Sequence, residues 1–446
     1  MKKITFTILS LVTVFFSCKR NDVEDLKPVA VSVAISFDNA YAGYNFPLKN
    51  TEVKFTNLSN GLVTNLKADE TGAVSLDKIS PGNYDIEAVL TVSAADYQTY
   101  TSTTTENDVV FNGILKSQSI VQSSNALKIA LNAGKIGDWV FKQIHYAGSH
   151  TTNGAGFRDQ FIEVYNNSNE VLYADSLYIV QAYGSTSKLT AIDITSGFFQ
   201  SGTKQYDWTK SIGMNNSKAN TDYVYSKNIW MIPGTGKDHP VQPGKSLIIA
   251  ATAMNHKVPF TGADGKTITV KDPSLTIDLN NADFEIYQGD YLGLSQLASD
   301  IDNPNVPNLK NISIISGRDM ILDATGREAL FLFKTKRPQS EWKRTPAPDK
   351  LDITTAVDLY YQIPNAEVID AVDIQTPLEA NRVPKKFGAT LDATFIFVSK
   401  GQYSSQSLIR KTGKTVNGRV ILKDTNSSTN DFTELDMPDV TKTVFK

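Results

Sequence analysis

At 446 residues the chain is long enough for two or three domains, each with its own core. Its 47 acidic and 44 basic side chains leave a net charge of -3 with no long Lys/Arg run, which excludes nucleic acid as an expected partner. One cysteine excludes internal disulfides, and four histidines argue against a multi-histidine metal centre.

The first segment predicts export. Lys2 and Lys3 form a positive start, and Ile4 to Phe16 form an apolar run too short to span a bilayer. Residues 1–17 therefore read as a signal peptide. Ser17-Cys18 resembles the lipobox of bacterial lipoproteins, although Phe15-Phe16 replaces the usual Leu-then-small pattern. The resemblance implies that Cys18 is the lipidated first residue, with residues 18–28 as a tether. A lone exported cysteine would otherwise be a free thiol. The charged leader Lys19-Arg20-Asn21-Asp22-Val23-Glu24-Asp25 resembles the signal that sends Bacteroidetes lipoproteins to the cell surface. The expected location is the outer membrane, facing outward.

The rest has the texture of an all-β protein. Val29–Ser36, Asp85–Val89, Phe161–Tyr165, Ser246–Ala250 and Thr394–Val398 alternate and are rich in β-branched and aromatic residues. Short helices are expected only near Leu292–Ala298 and Ser340–Arg344.

Residues 29–133 predict a β-sandwich. Thr51–Asn57 is a strand turned by Ser59-Asn60-Gly61; Gly72 suits a tight hairpin, and Pro81-Gly82 suits a turn that reverses φ. The order of these pieces resembles the transthyretin-like, carboxypeptidase-regulatory-like module, which most often serves as a spacer.

Residues 137–446 predict a larger β domain. Phe161-Ile162-Glu163-Val164-Tyr165-Asn166 and Leu177-Tyr178-Ile179-Val180 open a series of motifs. Pro243-Gly244 leads into Ser246–Ile249, and Glu328–Phe333 and Val368-Ile369-Asp370-Ala371-Val372 follow. Ser407-Leu408-Ile409-Arg410 and Asp424–Phe432 close the series. In this order they resemble the lamin-tail fold, here enlarged by insertions. On its strand Glu163 shares a face with Phe161 and Tyr165 and is expected to accept hydrogen bonds from a neighbouring turn. The combined architecture resembles a Bacteroidetes outer-membrane lipoprotein family known as a domain of unknown function. That resemblance implies a surface accessory of a TonB-dependent receptor.

Catalytic patterns are missing: there is no His-Glu-x-x-His, Gly-x-Ser-x-Gly or phosphate-cradling loop. Asp424–Ser428 and Asp300–Asn305 place oxygens like a calcium loop, but Thr429 and Leu435 stand where such a loop needs Gly and Glu. No cofactor or metal is expected. The insertion from Thr195 to Pro240 draws attention because it collects Tyr206, Trp208, Tyr223, Tyr225 and Trp230 among polar residues. Such rings either stack on a ligand or pack to hold the loop down. The leading expectation is a non-enzymatic, surface-anchored protein that captures a small nutrient or glycan, or contacts a TonB-dependent receptor. An adhesive protein without a small ligand and a secreted hydrolase with an unrecognised carboxylate pair stay open.

Overall fold

The computed structural model describes residues 27–38, 41–101, 108–122, 127–133, 138–292, 296–416 and 418–446. The signal peptide, Cys18 with residues 19–26 of the tether, and the junction at 134–137 lie outside the described residues. The chain is all-β, with strands in several sheets and short helices between them.

The N-terminal unit is a seven-stranded path in the spatial order Val63–Lys67, Glu52–Asn57, Gly82–Val92, Val109–Ile120, Leu127–Ala133, Val29–Phe37 and Ala73–Ile79. Neighbours are antiparallel except Val29–Phe37 against Leu127–Ala133. Alternation decides the faces: Val31, Val33 and Ile35 point inward and join Phe55, Ile86 and Phe111 in one core. Gly72 takes φ 77°, and a Cβ there would meet the Leu48 side chain at 2.6 Å, so the hairpin requires glycine. Gly82 departs from expectation. It stays outside the left-handed region and opens the strand, while the Tyr84 hydroxyl donates to the Ser80 carbonyl at 2.6 Å and closes the corner. The helix Ala94–Thr101 was not expected; Ser93 Oγ accepts the Asp96 amide at 3.0 Å and starts it.

The C-terminal unit stacks two sheets. One runs Arg344–Thr345, Tyr360–Pro364, Tyr223–Met231, Tyr178–Ala182, Glu328–Phe333 and Val368–Ile374, with Lys310–Ile314 branching from Tyr223–Met231. The other runs Phe284–Glu285, Ser246–Ala250, Phe161–Asn166, Trp139–His145, Ser407–Arg410 and Phe432–Leu435. Phe141, Ile162, Val164, Leu330, Leu332 and Leu408 fill the space between them. Outer faces are covered too, which is why Phe161–Asn166 is buried at every position. Glu163 illustrates the cost of that cover. It is buried against Lys142 at 3.0 Å and accepts Ser246 Oγ at 2.5 Å. Its partners come from neighbouring strands rather than from a turn.

Thr394–Val398 is not a strand. Ile396 makes a single parallel bridge to Ile374, while Phe395 and Phe397 turn outward beside Arg382. Side-chain bonds such as Thr429 Oγ1 to the Phe395 carbonyl, 2.6 Å, replace a ladder there. Of the expected helices, the first, Leu292–Ala298, lies partly outside the described residues, which hold a short helix at Gly289–Leu292; the second is one 3-10 turn, Gln339–Glu341.

Candidate functional site

The five aromatic residues singled out in the sequence do not form one exposed surface. Trp230 is completely buried in the core between the two sheets of the C-terminal unit. A bulge in the pairing opposite Gln181 and Ala182 resets the alternation along Tyr223–Met231. Tyr206, Trp208 and Tyr225 are buried in a separate cluster with Tyr360, and Tyr223 packs against it half-buried. Trp208 stacks on Tyr225 at 3.4 Å and Tyr183 on Tyr360 at 3.5 Å between ring centroids. Burial pushes the hydroxyls of Tyr206, Tyr225 and Tyr360 far above their ordinary range. Of the two alternatives for these rings, the geometry is that of packing: they form a small aromatic core that pins the insertion.

The tip of that insertion does reach a cavity. Phe199 and Tyr206 form a bridge, and the Gln200 amide donates to the Gln205 carbonyl at 2.8 Å, closing a hairpin with Lys204 at φ 62°. Gln205 Nε2 fastens it to the Phe387 carbonyl at 2.7 Å. Its residues Gly202 to Gln205 wall an open cleft of about 520 Å³ between the two units.

The opposite wall comes from the N-terminal unit. Pairing of Gly82–Val92 with Val109–Ile120 slips between Tyr84 and Ile86, and Ser117 sits at φ 50°. Asp85 holds this bulge by accepting the Ser117 amide at 2.9 Å and Lys116 Nζ at 2.8 Å. Lys116 is thereby aimed across the cleft, 5.9 Å from the Phe395 ring of the C-terminal unit. A bulge that re-aims a side chain and a non-glycine residue at positive φ are both common beside functional sites. Leu58, Ile114, Leu189 and Ile194 give the cleft apolar surface.

Its floor is cationic. Arg382 lies 4.9 Å from the Phe395 centroid and 5.3 Å from that of Phe397. Arg382 Nε and Nη2 donate weakly to the carbonyls of Thr376 and Pro377 at 3.3 and 3.4 Å. Burial pulls both Arg382 and Lys385 below their ordinary ranges, opposed by Glu379 and Asp85 for the first and by Asp392 and Asp373 for the second. Lys385 donates to the Asp392 carbonyl. The charged lining residues are Lys116, Lys204, Arg382 and Lys385 with Asp85 and Glu379. Nothing in the sequence pointed to Lys116, Arg382, Lys385 or Phe395, because their meeting depends on the packing of two units.

The closing motifs of the C-terminal unit converge elsewhere. Arg410 is buried and meets Asp370 at 2.5 Å, Asp424 at 3.4 Å and Asp431 at 3.7 Å, with its Nε bonded to the Phe141 carbonyl at 2.8 Å. This knot ties four segments together, and Arg410 supplies the positive charge that a calcium ion would bring to such a loop. Among the described residues no group of three or more His, Cys, Asp or Glu is arranged to hold a metal ion.

An all-β chain with an open cleft between two units is the class that the fold defines. Residues 242–439 match the model of a family described as a protein of unknown function, DUF4876. The crystal structure of a DUF4876 family protein from Bacteroides thetaiotaomicron VPI-5482 is similar at 24% identity and TM-score 0.49, over 91% of this chain and 95% of that one. Two candidate adhesins are more distant. One from Bacteroides ovatus has 13% identity and TM-score 0.17 over 35% of this chain and 56% of its own. Another, from Bacteroides ovatus ATCC 8483, has 11% identity and TM-score 0.19 over 81% and 90%. No curated protein matches the chain.

Proposed function

We propose that this is a non-enzymatic surface lipoprotein, anchored through Cys18, that captures a small ligand in the cleft between its two units as an accessory of a TonB-dependent uptake system. The observation that carries the capture role is the construction of the cleft. A bulge in one unit and a pinned hairpin in the other place Lys116 and Lys204 on facing walls. On this reading the N-terminal unit is part of the binding site and not only a spacer.

A thermal-shift screen of the full chain against small glycans, peptides, chelates and organic acids tests it. Ligands should raise Tm by several degrees, as mass action on the folded state requires. The effect should vanish in Ile114→Asp, which places a charge on the apolar wall. Ligands that stabilise Ile114→Asp as well as the native chain would move capture away from the cleft. A chain that no compound stabilises, yet which still attaches cells to a surface, would favour the adhesive reading.

A further inference from the structure

We infer that the cleft is built for an amphipathic organic anion, with an apolar or aromatic body lying against Ile114, Ile194 and Phe395 and an acidic head directed at Arg382 and Lys204. The inference rests on the capture reading above and names its ligand class.

Charge is the first argument. The whole chain is net negative, yet the cleft is lined by Lys116, Lys204, Arg382 and Lys385 against only Asp85 and Glu379. Asp85 is already committed to Lys116 and the Ser117 amide. Among the described residues Lys204, Arg382 and Lys385 lie in no close ion pair; Glu379 and Asp85 act on Arg382, and Asp392 and Asp373 on Lys385, only from farther off. A desolvated cation without a close carboxylate is costly to hold, and an incoming anion removes that cost.

Donor geometry is the second. Of the five N–H groups of a guanidinium, Arg382 commits only Nε and Nη2, to carbonyls at long range, and its Nη1 makes no hydrogen bond among the described residues. Phe395 and Phe397 lie near the Arg382 guanidinium at centroid distances that permit a cation–π contact. A planar, held guanidinium with spare donors is well suited to an oxyanion.

The third argument concerns the body of the ligand. Ile194 is 45% exposed and the neighbouring Ile192 is 80% exposed on the short helix Ala191–Thr195 at the rim. Together with Ile114 and Leu58 on the far wall, this surface offers little to a purely polar anion. A groove lined by Lys188, Thr325 and Lys400 adjoins through Val383 and gives room for a longer acid.

Calorimetry of the full chain in detergent, with 2-naphthoate and its uncharged twin 2-naphthylmethanol, tests the assignment. The acid should bind and the alcohol should bind far more weakly. Arg382→Gln should weaken the acid at least ~10-fold, the loss expected for one charge-assisted hydrogen bond, and change the alcohol by no more than ~2-fold. Lys204→Gln, on an exposed hairpin, should act in the same direction and serves if Arg382→Gln does not fold. Equal binding of both probes, an acid insensitive to both variants, or no binding of the acid at millimolar concentration overturns the inference. Ile114→Asp separates the two levels. If it abolishes both probes while charge makes no difference, the cleft stands and the anion assignment falls. If it affects neither probe, the cleft reading falls as well.

Discussion

Arg410 brings one positive charge into a space shared with three carboxylates, and this imbalance shapes the stability of the molecule. Burial alone would lower the guanidinium, but its acidic neighbours outweigh it and hold it above its ordinary range. Arg410→Met should cost ~3–5 kcal/mol in urea unfolding, because it strands buried carboxylates. Trp230→Ala should cost a similar ~3–5 kcal/mol by emptying the inter-sheet core. Lys204→Gln, at the rim of the cleft, should leave the melt unchanged. Acidic groups also set the pH response. Burial pushes Asp319 up to about 8 and Asp300 and Glu285 up to about 7, and it raises Asp370 and Asp431 more than Arg410 lowers them. These folded-state values lie above those of the unfolded chain. Their stabilisation is therefore complete below the ordinary carboxylate range near pH 4 and is lost as pH rises through about 7 to 8. Tm should fall between pH 5 and pH 8.5, at ~2–4 °C for each kcal/mol. Asp319→Asn should flatten that slope, and a Tm that rises over the same interval would refute the linkage.

Among the elements, those most legible in the sequence were the ones whose side chains obey a local rule. Ser246–Ala250 and Phe161–Asn166 alternate or run apolar between turn residues and form strands where expected. Gly244, at φ 75°, turns the chain into the first of these. Thr394–Val398 carries the same pattern and fails, because Arg382 competes for Phe395 and Phe397 and Asp392 caps the Thr394 amide at 3.1 Å. The insertion was legible as aromatic but not as buried. Whether Trp208 faces solvent depends on Tyr225 and Tyr360, which come from separate strands. The bulge at Ser117 left no trace in the sequence, since serine seldom occupies positive φ. It can be tested by itself. Asp85→Ala should release Lys116 and the Ser117 amide and lower Tm by an amount that adding Lys116→Ala does not increase, as expected for two residues acting as a unit.

For the whole molecule, the anchor is what the lipobox resemblance at Ser17-Cys18 implies, and the join is expected where polar and glycine residues follow Ala133. Cys18→Ser should leave the protein unlabelled by radioactive palmitate and either soluble or retained with its signal peptide, because the acylated thiol is the proposed anchor. Protease added to intact cells should remove the native protein if it faces outward. A fragment starting at Gly137 is expected to melt cooperatively with a β-type circular-dichroism spectrum. Its losses would include the bonds from Asn112 to the Thr425 carbonyl and from Lys414 to Asp108 at 3.4 Å. It would also lose the wall carrying Ile114 and Lys116, and with it the affinity for 2-naphthoate. Placing the cleft at the seam has a mechanical consequence. Whatever factor a bound molecule adds to the grip of one unit on the other, prying the units apart must subtract from its affinity, because the coupling is reciprocal. A partner that levers the seam open would thus unload the cargo without touching it, and handover would require no competition at the cleft itself.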